Sequence, residues 1–324
     1  MKKDSTLLSV IIAVKNGEKF IEKCIDSIND NYDSKKYNIE IIVVNDNSKD
    51  NTMKVVETLS KKYKNIKSTN SDGVGVSEAR NTGINLASGE YVVFFDADDY
   101  VDENFKKAVE TLNGDADIFL FNILYETKES KTHLIKFPKG VCEKIINSNE
   151  EDFMKICGSL NNGSQNKIVR KKFIEEKDVK FKKFSVAEDM EWTVRLMLAN
   201  PVIYASDYSY YHYVKHETSV MNSANFTRTR DGIEACKEGI KDIDESSLNS
   251  KQKKILKKMV ISTQYSTFQF YKRMNKEDRK LFKEYLRDYH KWLGKPTKFK
   301  FWLIRICLLV FGLDVTLFLT TKLL

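Results

Sequence analysis

The chain has 324 residues, 41% hydrophobic and 31% charged, with a formal net charge of +8. That is enough apolar material for one large domain or two modest ones, and it excludes a disordered chain. Its five cysteines are odd in number and none has C-x-x-C spacing, which argues against a disulfide framework or zinc knuckle and for a reducing compartment. The first apolar run, Leu7–Val14, is too short for a signal-peptide core, so a cytoplasmic location is expected.

The positive charge is local. Residues 251–300 carry 16 Lys+Arg against four Asp+Glu, a surplus larger than that of the whole chain. Such a segment suits an anionic surface, either membrane lipid or nucleic acid, though an ordinary solvated helical face has the same composition.

In chain order, Ser9–Val14 is a continuous apolar run, as in a strand buried on both faces. Glu18–Asn29 has apolar residues at three- and four-residue spacing and reads as a helix. Ile39–Val44 is a second strand, Asp50–Tyr63 a second helix, and Val76–Leu86 a third. Tyr91–Phe95 is another buried strand, with a helix near Glu103–Leu112. Alternating apolar strands and helices predict an α/β fold, a mostly parallel sheet covered by helices, with its ligand at the carboxyl ends of the strands.

Beyond residue 115 the pattern changes. Ile118–Tyr125 and His133–Phe137 read as two strands, followed by a helix over Val186–Ala199 and a strand over Val202–Val214. From Thr227 the pattern is helical and charged, including Ser250–Met274 and Lys276–Trp292, and Gly294 and Pro296 end it. Phe299–Leu324 is rich in Phe, Leu, Ile and Trp, but Lys300, Arg305, Asp314 and Lys322 interrupt it. A spanning helix needs about 20 apolar residues. A helix lying on a membrane surface is therefore expected, with packing against the core or a partner as the alternative. The expected divisions are residues 1–115, 116–226, 227–296 as a basic helical region, and 297–324 as the membrane-associated helix.

Polar clusters follow three buried strands: Lys15-Asn16-Gly17, Asn45–Asp50 and Asp96-Ala97-Asp98-Asp99. The fold would bring all three to one sheet edge. Asp96 and Asp98, two residues apart in extended chain, can face one cation, and hard carboxylate oxygens suit Mg²⁺ or Mn²⁺ carrying a diphosphate. A solvated acidic turn is the plainer reading of the same residues. Glu188-Asp189, at a helix start, offers a candidate base or simply complements the helix dipole.

Leu8–Asn16, Ile41–Asp50, Ser77–Gly83 and Gly89–Asp99, in this order, closely resemble the family-2 inverting glycosyltransferases of the GT-A fold. The similarity is dense over Leu8–Asn104 and thinner through Asn166-Lys167, Glu188-Asp189 and Tyr211-His212-Tyr213. The resemblance implies that Asp46 contacts the nucleotide base and Asp96 the ribose or metal. Val14, Asn16, Arg80 and Ala97 would complete the nucleotide-sugar site, and Asp98 would ligate Mn²⁺ or Mg²⁺ with Asp96 and His212. Asp189 would be the catalytic base, and Asn166, Lys167 and Glu188 would line the acceptor side. Lys215 or His216 would close over the diphosphate with His212, although a lone histidine is more often structural.

This chain departs from the family pattern at Ala13, Lys15, Asn45 and Gln165, which bears on donor identity rather than reaction type. The implied function is transfer from a nucleotide-diphosphate sugar, by default a UDP-sugar, to a glycan or lipid-linked acceptor of the cell surface. The enzyme would sit peripherally on the inner face of the plasma membrane. A nucleotidyltransferase would want a Gly-rich phosphate loop after the first strand, which Lys15-Asn16-Gly17-Glu18 is not. No groove-reading motif accompanies the C-terminal lysines, so no nucleic acid is expected; a non-catalytic nucleotide- or nucleic-acid-binding protein is the alternative.

Overall fold

The structure is a computed structural model that describes residues 5–133, 135–138, 140–148, 150–160, 162–216, 225–289, 302–306 and 316. The chain forms two compact units: Met1–Lys183 with Ala199–Lys215, and Phe184–Leu198 with His216–Leu324.

The first unit opens with β1 (Leu8–Val14), α1 (Ile21–Asp30), β2 (Ile39–Asn45), α2 (Thr52–Lys62), β3 (Ile66–Asn70), α3 (Val76–Leu86) and β4 (Tyr91–Asp96). It continues through β5 (Tyr100–Val101), α4 (Asn104–Glu110), β6 (Ile118–Glu126), β7 (Lys131–His133), β8 (Lys144–Ile146), α5 (Glu151–Cys157), β9 (Lys167–Arg170) and α6 (Lys171–Glu176), and closes with β10 (Ile203–Val214). The strands build one sheet in the order β3-β2-β1-β4-β9-β6-β10-β5, with β7 on β6 and β8 on β10. The β3-β2-β1-β4 portion is parallel throughout. Strand β9 is antiparallel to both β4 and β6, so β4 and β6 run the same way, and β10 pairs parallel with β6. Six carboxyl ends thus share one edge.

Strands β1 and β2 are apolar because both faces are covered, and α3 packs across them. Strand β3 is different. Its IKSTN sequence is polar and half-exposed because it pairs only with β2 at the sheet margin, where polar residues discourage further pairing. It has no apolar signature to read. The hairpin after β6 also differs from the expected strand over residues 133–137. The Thr127–Ser130 turn sets a register of Leu124 opposite His133, which confines β7 to Lys131–His133.

The second unit comprises α7 (Glu188–Leu198), α8 (Phe226–Glu245), α9 (Ser250–Ser266), a 3₁₀ turn over Thr267–Arg273 and α10 (Lys276–Tyr289). Asn225 caps α8 through its side chain, and Asn249 with Gln252 forms a capping box at α9. The helix expected over Ser250–Met274 tightens at Thr267, whose hydroxyl donates to the Gln264 carbonyl at 2.6 Å and so competes with α-helical bonding. Ile233, Ile261, Tyr265, Tyr271, Met274, Phe282, Leu286 and Ile304 form its core. Residues 302–306 are helical, with Ile304 buried and Trp302 and Ile306 exposed. Most of the expected membrane-associated helix, 297–301, 307–315 and 317–324, lies outside the described residues, as does Cys307. Cys24, Cys142, Cys157 and Cys236 are free thiols. No helix among the described residues is long and apolar enough to cross a membrane.

At the amino end of the sheet, Glu40 on β2 gathers three strands and a loop. Its carboxylate accepts from Ser9 Oγ at 2.6 Å, Ser88 N at 2.6 Å and Ser88 Oγ at 2.8 Å, and Lys67 pairs with it at 2.6 Å. Gly89 is required beside this knot, since a Cβ there would sit 2.6 Å from the Ser9 backbone nitrogen. Burial alone would raise the Glu40 carboxyl, but the donors from Lys67, Ser9 and Ser88 outweigh it and hold it below its usual 4.5. A depressed carboxyl contributes stability above its unfolded value, and that stability is lost as pH falls through the folded value. Chemical denaturation across pH 3–7 is expected to show Glu40→Gln less stable than wild type at neutral pH, the difference narrowing as pH falls below the usual glutamate value. Parallel curves would contradict this.

Candidate functional site

The loops after β1 and β2 are tied to each other before any ligand is considered. Asn16, at a φ of 55°, donates its N–H to Ser48 Oγ at 3.0 Å, while its side-chain oxygen accepts from Lys49 N at 2.7 Å. Gly17 N donates to Thr52 Oγ1 at 2.8 Å, Glu18 N to Asp50 at 3.1 Å, and Asn51 N to Glu18 at 2.7 Å. Asp50 therefore links the two loops in addition to receiving Thr52 N at 3.1 Å near the start of α2. Reciprocal bonds of this kind hold the two loops to each other with little freedom for either.

Asp46 lies between these loops and α3. Its N–H donates to Val14 O at 2.8 Å, and one carboxylate oxygen accepts from Gly75 N at 2.9 Å. Lys15 stands 3.6 Å from the other oxygen. Gly75 has a φ of 102°, a conformation only glycine adopts without strain, which turns its N–H toward Asp46 at the start of α3. Neighbouring Asn45 accepts from Ser48 N at 3.0 Å and donates to Asn70 at 2.9 Å.

One turn of α3 later comes Arg80. Its side chain is 4% exposed, with the guanidinium 5.1 Å from the centroid of the Phe181 ring and Nη2 3.3 Å from Asp96 Oδ1. Gln165 Nε2 donates to the other Asp96 oxygen at 2.5 Å. Asp96 is thereby held from both sides by residues distant in sequence. Gln165 carries no acidic or basic signal, and its position shows only in the structure.

Asp99, two positions past Ala97, is buried. Its oxygens accept from Tyr211 Oη at 2.6 Å and Val214 N at 2.8 Å, and Tyr211 Oη also receives the Asp96 N–H at 3.1 Å. Burial, with Asp96 and then Asp98 as like-charged neighbours, pushes the Asp99 carboxyl well above its usual range despite these bonds. The same negative field, after burial itself, pushes the Cys24 thiol up. Three carboxyls in four residues thus concentrate negative charge at the end of β4.

A divalent cation would relieve that charge. Among the described residues no three His, Cys, Asp or Glu side chains converge as a complete ligand set. Asp98, with Asp96 nearby, instead fits the Mg²⁺ or Mn²⁺ habit of taking one or two carboxylates and completing its shell with phosphate oxygens and water. The metal role expected for His212 does not fit the geometry. Its Nε2 lies 2.9 Å from Asp102 and its Nδ1 3.1 Å from Glu126, and the ring stacks on Tyr100 at 4.4 Å. Both nitrogens face carboxylates outside the acidic turn and the ring is buried, so neither is presented to a cation held by Asp98. Burial would raise Glu126, but Tyr100, Lys131 and His212 bring it down to about 2.

The acceptor roles expected for Asn166 and Lys167 also need correction. Both are fully buried. Asn166 donates to Phe121 O at 2.8 Å, and the Lys167 ammonium reaches Asn166 at 3.1 Å and Gly163 O. They hold the segment that presents Gln165 rather than lining an open surface. Lys215 is exposed and donates its N–H to Glu126 O at 2.9 Å. Glu188 and Asp189 open α7 in the second unit, following Ala187 at a φ of 64°, and His216 also belongs to that unit.

Comparison with known proteins converges on one family. The family model for glycosyl transferase family 2 matches residues 9–176. The putative glycosyltransferase EpsH of Bacillus subtilis is 26% identical over 67% of this chain and 63% of its own length. The poly(ribitol-phosphate) beta-N-acetylglucosaminyltransferase TarS of Staphylococcus aureus is 32% identical over 67% of this chain and 37% of its own length. The chain therefore spans less than two thirds of these relatives. A crystal structure of S. aureus TarS 1-349 with UDP-GlcNAc superposes with a TM-score of 0.68 over 89% of this chain and 82% of that one, at 23% identity, which establishes the shared fold. A mannosyltransferase from Pyrobaculum calidifontis with GDP-Man and Mn²⁺ gives 0.54 over 82% and 74%, at 14% identity. The sheet, the ordered loop clusters and the family match agree, and the chain belongs to glycosyl transferase family 2.

Proposed function

We propose that this protein is a metal-assisted inverting glycosyltransferase that moves a sugar from a UDP-sugar to a hydroxyl of a cell-surface polymer or its lipid-linked precursor. The observation that carries the reading is the Asp96–Asp99 turn at the end of β4, with Asp96 clamped between Arg80 and Gln165. Asp46 lies at the end of β2, one strand beyond β1 on the same sheet edge, fixed by Gly75 and Val14. The names of the relatives support the donor and acceptor classes, since TarS is an N-acetylglucosaminyltransferase and a Bacillus spizizenii relative a glucosyltransferase, both of poly(ribitol-phosphate).

In this reading Asp46 binds the nucleotide base, with Val14, Asn16 and Ala97 along the nucleotide-sugar. Arg80 fixes Asp96 and counters the phosphate charge. When bound, Mg²⁺ or Mn²⁺ on Asp98 and the diphosphate would neutralise charge on the leaving nucleotide. Asp189 accepts the proton of the acceptor hydroxyl as that oxygen bonds to the anomeric carbon. The bond from that carbon to the diphosphate oxygen breaks, and the electron pair leaves with the nucleotide. One base and one in-line displacement give inversion without a covalent intermediate. Glu188 serves the acceptor beside Asp189.

Calorimetry and turnover with a panel of nucleotide sugars test the donor site. One UDP-sugar is expected to bind with Mn²⁺ or Mg²⁺ present. Chelator or Asp98→Ala should weaken that binding by about 10-fold or more, corresponding to about 1.4 kcal/mol. Binding of no nucleotide sugar would contradict the reading and favour a non-catalytic role.

Peripheral membrane attachment is supported by Trp302 and Ile306, exposed one helical turn apart, and by the exposed Lys251, Lys254 and Lys258 along α9. Ile304 between them belongs to the helical core, so deleting the segment would damage the fold as well. Trp302→Ala with Ile306→Ala is the cleaner probe. Co-sedimentation with anionic phospholipid vesicles is expected to fall about tenfold or more in the double variant; unchanged sedimentation would contradict attachment through this face.

A further inference from the structure

Two tyrosines on the catalytic edge of the sheet have no part in the anchoring of the acidic turn. Tyr125 lies near the carboxyl end of β6 and Tyr213 near that of β10, directly opposite each other in the parallel register. Their rings stack with centroids 5.8 Å apart and an interplanar angle of 20°. Both are half-buried.

Their position follows from topology. Because β6 and β10 run with β4, the pair shares the edge that carries Asp46 and the Asp96–Asp99 turn. The two-residue period of a strand puts Tyr213 on the face of Tyr211, whose hydroxyl reaches Asp99. Beyond the effect of burial, Asp96, Asp99 and Asp98 together help push the Tyr213 hydroxyl up to about 12, as expected for a phenol close to that turn.

Three other tyrosines of β10 are committed elsewhere, and the fourth, Tyr208, packs against the Phe121 ring with its hydroxyl buried away from solvent. Tyr204 donates to Glu143, Tyr210 to Gln165 O at 3.0 Å, and Tyr211 to Asp99 at 2.6 Å. Among the described residues, no hydrogen-bond partner is found for the hydroxyl of Tyr125 or Tyr213. An aromatic pair with polar tips is the surface a carbohydrate takes: its C–H face packs on a ring while its hydroxyls bond the phenols.

We infer that Tyr125 and Tyr213 form the acceptor platform, holding the carbohydrate unit that receives the sugar. The inference rests on the glycosyltransferase reading. In that reading the base lies at the β1 and β2 ends and the diphosphate at β4. In-line inversion brings the acceptor from the side opposite the leaving diphosphate, and sheet order continues that way, through β9 to β6 and β10. The pair therefore sets acceptor affinity and leaves the nucleotide alone.

The test uses the full chain with UDP-GlcNAc and UDP-glucose as donors. Ribitol-phosphate oligomers and glucose- or N-acetylglucosamine-based oligosaccharides serve as acceptors. Tyr213→Ala and Tyr125→Ala are each expected to raise acceptor KM about 10-fold, with donor hydrolysis and the Kd for UDP within about twofold of wild type. Tyr213→Phe keeps the ring and should stay within about threefold. Should Tyr213→Ala fail to fold, Tyr213→Leu, which fills the space without a ring, is expected to show the same rise. An unchanged acceptor KM, or a UDP Kd weakened as much as the acceptor KM, overturns the platform and leaves the transferase reading standing. Transfer to none of these acceptors by a wild type that hydrolyses donor also counts against it. A wild type that binds no UDP-sugar overturns the transferase reading and the platform with it.

Discussion

Three carboxyl groups within four residues, at the end of a buried strand, repel one another and resist losing water. The sheet holds them by giving each a different solution. Asp99 is sealed beneath Tyr211 and the Val214 N–H. Asp96 is stretched between Arg80 and Gln165. Asp98 remains partly exposed, on a turn whose neighbours Asp96 and Asp99 are anchored. Burial of charge is costly unless it is paired, so a strand end that collects it needs compensation from several elements at once. That requirement explains why α3 delivers a buried arginine and why the segment before β9 is pinned by a buried lysine. It also explains why β10 carries a tyrosine under the turn.

The same logic gives the edge a direction. Amide and hydroxyl groups dominate the ends of β1 and β2, where backbone N–H donors meet short side chains. Negative charge peaks at β4. Aromatic surface with polar tips follows at β6 and β10. On the proposed function, a planar base, a cation-bound diphosphate and then a carbohydrate acceptor would meet these chemistries in the same order. Parallel strands make such an arrangement possible, because each adds one carboxyl-end loop to a common rim.

The legible parts of the chain were those where one physical signal dominates. Continuous apolar runs located β1, β2 and β4, and a helical pattern over Val76–Leu86 located α3 at its observed bounds. The acidic turn and Asp46 stood out because charge directly after such runs needs a reason. The illegible parts obey context instead. Strand β3 is polar because it is an edge, and β5 is two residues long, set by its pairing with β10. Gln165 showed in the sequence only as a departure from the family pattern, and its contact with Asp96 is set by the fold. His212 was expected as a ligand only from the family resemblance. Its two carboxylate partners, Asp102 and Glu126, lie 110 and 86 residues away, and no spacing rule connects them. Asn166 and Lys167 carry polar atoms that satisfy buried backbone, a role that residue type alone does not distinguish from acceptor contact.

The central claim is that the β1, β2 and β4 loops form one nucleotide-diphosphate site organised by the Asp96–Asp99 turn. The most direct test is a crystal structure of the full chain with UDP and Mn²⁺, with the metal located by its anomalous scattering. The base is expected beside Asp46, and a manganese peak between Asp98 and the diphosphate. Manganese elsewhere, or UDP bound away from the carboxyl ends of these strands, would contradict it.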